Sequence, residues 1–285
     1  MTLDVERLAY GLGAAVRGVD PHQPLPPERV AELRRLWLEH KVLVFPRMEM
    51  SYAEHIALSR NFGTLEQHSL IEARHPDFPE IMEVTNRVTD GKPSVTAQTG
   101  RQWHTDGAFS TRPPTASLLH CRAIPEVGGD TWFANMVMAY ETLSPRLQRL
   151  CDELEVVNDL YKHARLRHPT LSEEEARKRM PPVVQPMVWT HPETGRKSLF
   201  LSETITVRIH GMTAAESAGL LEYLYAHCVQ PEFTYRHRWR LNDLVMWDNR
   251  STMHLAPADL DPRQLRLMCR TTLVGVPSGR VLTEE

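Results

Sequence analysis

The sequence predicts a mainly β fold with helical insertions, a β-sandwich or jelly roll carrying helices, and three observations lead there. Short apolar or alternating segments bounded by turn residues, at 80–85, 116–121, 187–190, 198–202, 233–239, 243–247 and 266–274, read as strands. Helical patterns lie between them without the regular strand–helix alternation of a doubly wound parallel sheet. The chain has 285 residues, 41% of them apolar and 24% charged, which is enough to bury a substantial core. No repeat or Pro/Gly/Ser-rich linker divides it, so residues 1–285 are expected to form a single domain.

Taken in order, Val30, Leu33 and Trp37 between Pro27 and His40 have the spacing of one helix face, and the run Val42-Leu43-Val44-Phe45 before Pro46 reads as a buried strand. Ser51 is placed to cap a helix running to about Asn61. Ser144-Pro145 offers a cap and a first-turn proline to another helix, with Leu147, Leu150 and Leu154 on its apolar side. Ser172-x-x-Glu175 and Thr213-x-x-Glu216 are capping boxes, the second opening a helix with Leu220, Leu221 and Leu224. Residues 155–186, with His163, Arg165, Arg167 and His168, read as a polar, strand-poor insertion, a solvated helical excursion or else a lid.

A net charge of −3 provides no basic footprint for nucleic-acid phosphates or anionic lipid, which points to small-molecule partners. Cys121, Cys151, Cys228 and Cys269 are widely spaced and read as reduced thiols. The opening MTLDVERLAYGLGAAVRG lacks a basic segment followed by an apolar one, and no stretch approaches the roughly 18 apolar residues of a membrane span, so a cytoplasmic protein is expected. The fourteen histidines are the unusual feature, since imidazole is the commonest metal ligand.

In a strand, residues i and i+2 share a face, so His104-Thr105-Asp106 could aim an imidazole and a carboxylate at one cation. His75-Pro76-Asp77 has the same spacing but reads as a turn, because proline cannot donate to a ladder. His254, beyond the apolar run Leu244-Val245-Met246-Trp247, could complete a facial triad suited to Fe(II), with cis positions left open. Further on, Arg266, Met268, Arg270 and Thr272 share one strand face and Leu267, Cys269, Thr271 and Leu273 the other. The two arginines then stand roughly 13 Å apart. They are either solvated on an exposed edge or, inside a covered sheet, in need of two anions.

The segments WHTDG (103–107), GGDTWFAN (128–135), HPETGRKSLF (191–200), PEFTYRHRWRLNDLVMWDNRSTMH (231–254) and RLMCRTTL (266–273) resemble, in order, the taurine dioxygenase and 2,4-dichlorophenoxyacetate dioxygenase (TauD/TfdA) family. The resemblance runs from about Gly11 to Gly275. It implies a double-stranded β-helix, that is, a jelly roll with helical insertions, and a homo-oligomer. It also implies an oxidoreductase using Fe(II), 2-oxoglutarate and O2 to hydroxylate a substrate C–H, with succinate and CO2 released. By the same resemblance His104, Asp106 and His254 are iron ligands, and Thr131 and Arg266 hold 2-oxoglutarate. His68, Gly107 and Arg270 align with substrate-anion positions. The step from His254 to Arg266 is one residue longer than in the taurine enzyme, which would put Leu265 in the arginine's place. We assign the extra residue to the loop ADLDPRQ, because slipping the strand would turn a leucine inward; Arg263 is the other candidate. Ile71, Gly100 and Ile205 stand where the taurine enzyme has aromatic or amide-bearing residues. An apolar pocket is therefore expected, for an alkyl sulfonate, a sulfate ester or an aryloxyalkanoate. Outside this reading stand a metal hydrolase on a similar barrel and a non-catalytic anion-binding or sensor protein.

Overall fold

The computed structural model describes residues 2–161 and 172–283 and is mostly β, with several helices. Its largest sheet has seven strands, in the spatial order Asp4–Arg7, Ala14–Arg17, Val42–Phe45, Leu244–Asp248, Ala116–Ala123, Leu267–Thr272 and Met82–Thr85. Neighbours are antiparallel except Ala14–Arg17 and Val42–Phe45, which run parallel because helix Pro27–His40 carries the chain back between them. A smaller sheet of Thr234–His237, Thr131–Asn135 and Thr252–Leu255 packs against its inner face.

Alternation along the strands explains why the central strands of the large sheet are buried on both sides. Ala116, Leu118, Leu244, Met246, Leu43 and Phe45 point outward, where Leu33, Leu36 and Trp37 of helix Pro27–His40 close over them. Leu119, Cys121, Val245, Trp247 and Met268 point inward and meet Phe133 of the smaller sheet. Trp247 and Phe133 are fully buried, and each such side chain stabilises the fold by roughly 1.5–3 kcal/mol. Below the smaller sheet, Ala134 and Met253 pack on Leu221, Leu224 and Cys228 of helix Ala214–Cys228. The strand Leu267–Thr272 is covered on both faces too, since Leu267 and Cys269 pack with Ile56 of helix Tyr52–Arg60. The exposed-edge alternative for its arginines is thereby removed.

The capping signals form as expected. Ser51 and Thr213 open helices through reciprocal capping boxes, Ser144 accepts from the Leu147 amide, and Ser172 and Glu175 exchange the same bonds ahead of helix Glu173–Arg179. Three expectations need correction. Residues 155–186 are not strand-poor: Glu155–Asn158 and Val183–Pro186 pair antiparallel inside a four-stranded sheet with Thr206–Ile209 and Arg280–Val281. These runs are short, and their pairing partner is distant in sequence, so no local period announces them. His163, Arg165, Arg167 and His168 lie outside the described residues. On helix Pro145–Glu153 it is Cys151 that is fully buried, while Leu150 is exposed. Lastly, His104-Thr105-Asp106 is not a strand, as described below. Among the described residues no helix is long and apolar enough to cross a membrane.

Candidate metal centre

His254 lies on strand Thr252–Leu255, directly after a tight turn that leaves strand Leu244–Asp248. Its backbone exchanges two hydrogen bonds with His104: His104 N donates to His254 O at 3.0 Å and His254 N to His104 O at 2.8 Å. This isolated antiparallel bridge sets the two imidazoles side by side, with ring centroids 4.1 Å apart. The chain then turns through Thr105 to Gly107. Asp106 therefore reaches the histidines from a turn, not from the alternation of a strand. Gly107 has φ +66°, and a Cβ there would lie 2.3 Å from Pro114 Cδ, so only glycine closes this turn. The Nε2 atoms of His104 and His254 are 4.0 and 3.8 Å from Asp106 Oδ1. One ligand atom from each residue falls within 4.8 Å of the others, the one such group of three among the described residues.

The protonation states suit a divalent cation. Burial, with His104 close by, pushes the His254 imidazole down to about 3, so it is neutral near pH 7 and keeps a lone pair. Gln102 O lies 2.8 Å from His104 Nδ1; that contact favours the Nδ1–H tautomer and leaves Nε2 as the donor atom. Burial alone would raise the Asp106 carboxyl, but Arg270, the two imidazoles and the Ser117 hydroxyl together hold it well below the usual carboxylate range. Two imidazole nitrogens and one carboxylate, without a thiolate, fit Fe(II) with open cis positions better than a closed structural zinc site. The four cysteines are buried and free, and none belongs to this cluster.

Of the two arginines, Arg270 touches the triad and Arg266 lies against Gly129. Arg270 Nη1 donates to Asp106 Oδ1 at 2.9 Å and Nη2 contacts Met82 Sδ at 3.1 Å, while its buried Nε has no partner. Its counter-ion is thus Asp106 itself, which the sequence reading had not foreseen. Arg266 is only 8% exposed; its Nε donates to Gly129 O at 3.0 Å, and no carboxylate reaches it among the described residues. Burial pushes its guanidinium down to about 10, still charged at neutral pH. Leu265 is 41% exposed, so of these two neighbours it is Arg266 that turns inward. Arg263 is exposed and paired with Asp261 at 2.8 Å, which removes it as a candidate. Thr131 Oγ1 accepts from Trp239 Nε1 at 3.0 Å; because indole can only donate, the threonine hydroxyl keeps its own proton to give.

The other expected site residues fare unevenly. His68 is half-buried, its Nδ1 accepting from the Leu70 amide, and it follows a segment bridged to the Arg270 strand through Leu65 and Leu273. Gly100 abuts His104, since a Cβ there would be 3.4 Å from the imidazole Cε1. Ile205 is buried with Ala108, Trp189 and Phe200. Ile71 is 68% exposed on a single helical turn and lines no buried apolar wall, contrary to expectation. His75-Pro76-Asp77 is the turn it was read to be: the Asp77 amide donates to His75 Nδ1, and His75 packs on Tyr52. Sequence reasoning missed Ser117, a lone hydroxyl in an apolar strand, whose role depends on its distant neighbours.

The family model described as "Taurine catabolism dioxygenase TauD, TfdA family" matches residues 4–272. The chain belongs to this family. It is 36% identical over 253 residues to the alpha-ketoglutarate-dependent 2,4-dichlorophenoxyacetate dioxygenase of Cupriavidus pinatubonensis, covering 85% of this chain and 87% of that one. It is 32% identical over 291 residues to the alpha-ketoglutarate-dependent sulfate ester dioxygenase of Pseudomonas putida, covering 98% and 92%. Among solved structures, AAD-2 in complex with Mn(II) and N-oxalylglycine superposes with a TM-score of 0.83 at 32% identity, over 98% of this chain and 99% of that one.

Proposed function

We propose that this chain is an Fe(II)- and 2-oxoglutarate-dependent dioxygenase that hydroxylates a C–H of a small organic anion with an apolar body: an aryloxyalkanoate, an alkyl sulfonate or a sulfate ester. The observation that carries the reading is the His104–Asp106–His254 triad with Arg270 on Asp106, together with a second buried arginine, Arg266, that has no carboxylate partner among the described residues. A buried cation in that position calls for an anion brought by a ligand.

In this reading His104, Asp106 and His254 hold the metal. With O2, bound Fe(II) supplies the oxidising power, 2-oxoglutarate leaving as succinate and CO2 while one oxygen atom enters the substrate C–H. Arg266 and the Thr131 hydroxyl take the far carboxylate of 2-oxoglutarate. Arg270, whose Nε has no other partner, orients the substrate anion together with His68 and the Gly107 amide. Ile205, with Ala108, Trp189 and Phe200, offers the apolar surface for the rest of the substrate. The core is read as a double-stranded β-helix, or jelly roll, in one domain; the two facing sheets and the extent of the family match support this. The protein is further proposed to be cytoplasmic, in keeping with its free cysteines, and homo-oligomeric, with exposed apolar residues such as Tyr223 and Leu241 as contact surface. Neither nucleic acid nor membrane is among its proposed partners.

The test is succinate release from a panel of aryloxy acids, sulfonates and sulfate esters under Fe(II), 2-oxoglutarate and O2. At least one class should couple succinate to substrate loss, and His104→Ala and His254→Ala should abolish both. Full turnover in either variant, or no substrate-linked succinate from any class, would refute the reading.

A further inference from the structure

We propose that Ser117, Asn249 and Trp247 are positioning residues that fix the orientation of the Asp106 carboxylate; the inference rests on the reading of Asp106 as a metal ligand. The three side chains form a directed chain of hydrogen bonds. Trp247 Nε1 donates to Asn249 Oδ1 at 2.7 Å, Asn249 Nδ2 donates to Ser117 Oγ at 3.2 Å, and Ser117 Oγ donates to Asp106 Oδ2 at 2.7 Å. Trp247 and Asn249 are 1% exposed and Ser117 is fully buried, so water cannot replace a missing member at no cost.

The chain has a donor-only group at one end and an acceptor-only group at the other, and this assigns every proton between them. Indole N–H can only donate, so Asn249 must present its oxygen to Trp247 and its nitrogen to Ser117. Ser117 Oγ accepts that bond and so points its single proton at Asp106. Were the Asn249 amide reversed, two donors would face each other at Trp247, and the amide oxygen would draw the Ser117 proton away from the carboxylate. Sheet register holds the parts in place: Trp247 and Ser117 are directly paired on neighbouring strands, and both point to the inner face.

For the site, the consequence is a carboxylate with its two oxygens distinguished. Oδ2 is filled from inside the protein, and Oδ1 is the atom turned toward the two Nε2 atoms and Arg270. The Trp247 ring also packs on His254, with centroids 4.9 Å apart, and on Phe133 at 5.5 Å. One side chain therefore orients two members of the triad, the imidazole by contact and the carboxylate through the hydrogen-bonded chain.

The experiment is titration of the metal-free protein with Mn(II), following the free ion by electron paramagnetic resonance, with no 2-oxoglutarate or substrate present. Ser117→Ala should raise the Mn(II) Kd about tenfold or more. Asn249→Ala should raise it comparably, and the double variant should bind no worse than Ser117→Ala, because Asn249 acts only through Ser117. Trp247→Phe keeps the ring against His254 and removes the N–H, so its Kd should fall between wild type and Asn249→Ala. Should Asn249→Ala fail to fold, Ser117→Ala and Trp247→Phe still decide the matter, each checked by thermal melting without metal. A Kd for Ser117→Ala within about twofold of wild type, or losses that multiply in the double variant, would overturn the proposal. Mn(II) binding that His254→Ala leaves unchanged would instead overturn the metal assignment, so the two failures can be told apart.

Discussion

Replacing Arg266 with methionine should make the metal-free, ligand-free protein more stable and nearly abolish its affinity for 2-oxoglutarate. The opposing signs follow from one fact: a guanidinium 8% exposed, resting on a single carbonyl, with no carboxylate to neutralise it among the described residues. Burial lowers its pKa from 12.5 to about 10. Below that value the folded protein bears the full penalty of holding the charge, on the order of 3 kcal/mol at 1.36 kcal/mol per pH unit. Methionine fills similar volume without charge, but leaves Gly129 O without a donor at a cost of about 1–2 kcal/mol. The net gain is then roughly 1–2 kcal/mol, or about 2–4 °C in Tm for a chain of this length. Removing one partner of a buried charge pair costs about 2–5 kcal/mol, so the KM for 2-oxoglutarate should rise at least about thirtyfold. Differential scanning calorimetry of the apo protein and succinate kinetics across 2-oxoglutarate concentration measure the two halves. An unchanged KM would show that the co-substrate carboxylate lies elsewhere. A melting temperature lowered by several degrees would show that Arg266 is satisfied in the free protein and that the charge-penalty argument is wrong.

Three other expectations concern different parts of the molecule. Arg263→Ala should leave the KM for 2-oxoglutarate within about twofold of wild type, since Arg263 is exposed and paired with Asp261; a large rise would restore it as the carboxylate ligand. Asp248 is buried between His191 Nε2 at 2.9 Å and Arg250 Nη2 at 2.7 Å, so Asp248→Asn should lower stability to urea by about 3–5 kcal/mol, and a loss under about 1 kcal/mol would contradict it. Acid stability should be governed by buried neutral histidines: burial pushes His120 down to about 4, His254 to about 3 and His55 well below its usual value. Their folded pKa values lie below the unfolded ones, so the unfolded chain binds more protons as pH falls through 6.5, and stability is lost from there toward pH 4. In urea unfolding between pH 6 and 4.5, His120→Gln should reduce the slope by about 1.4 kcal/mol per pH unit, and an unaltered slope would remove His120 from the account.

Much of this protein can be read along the chain. Capping at Ser51, Ser144 and Thr213 is local chemistry, and each helix begins where its cap stands. The strand alternation that turns Met268 and Arg270 to one face is a property of backbone geometry and holds in the folded sheet, whereas Arg266 precedes the strand and is buried against Gly129. The triad was legible through spacing and family resemblance, although the strand argument used for His104 and Asp106 was wrong: a two-bond bridge between His104 and His254 and a glycine turn bring them together. The strands at Glu155–Asn158 and Val183–Pro186 were missed because four-residue runs carry too little pattern to stand out from coil. What tertiary structure alone decided is who partners whom. That Arg270 neutralises Asp106, that Arg266 meets Gly129 and no carboxylate among the described residues, and that Asn249 reaches Ser117 all depend on contacts between segments more than 100 residues apart in sequence. Local sequence sets which face a side chain takes, but hydrogen bonds and ion pairs form between faces, and only the folded sheet brings those faces together.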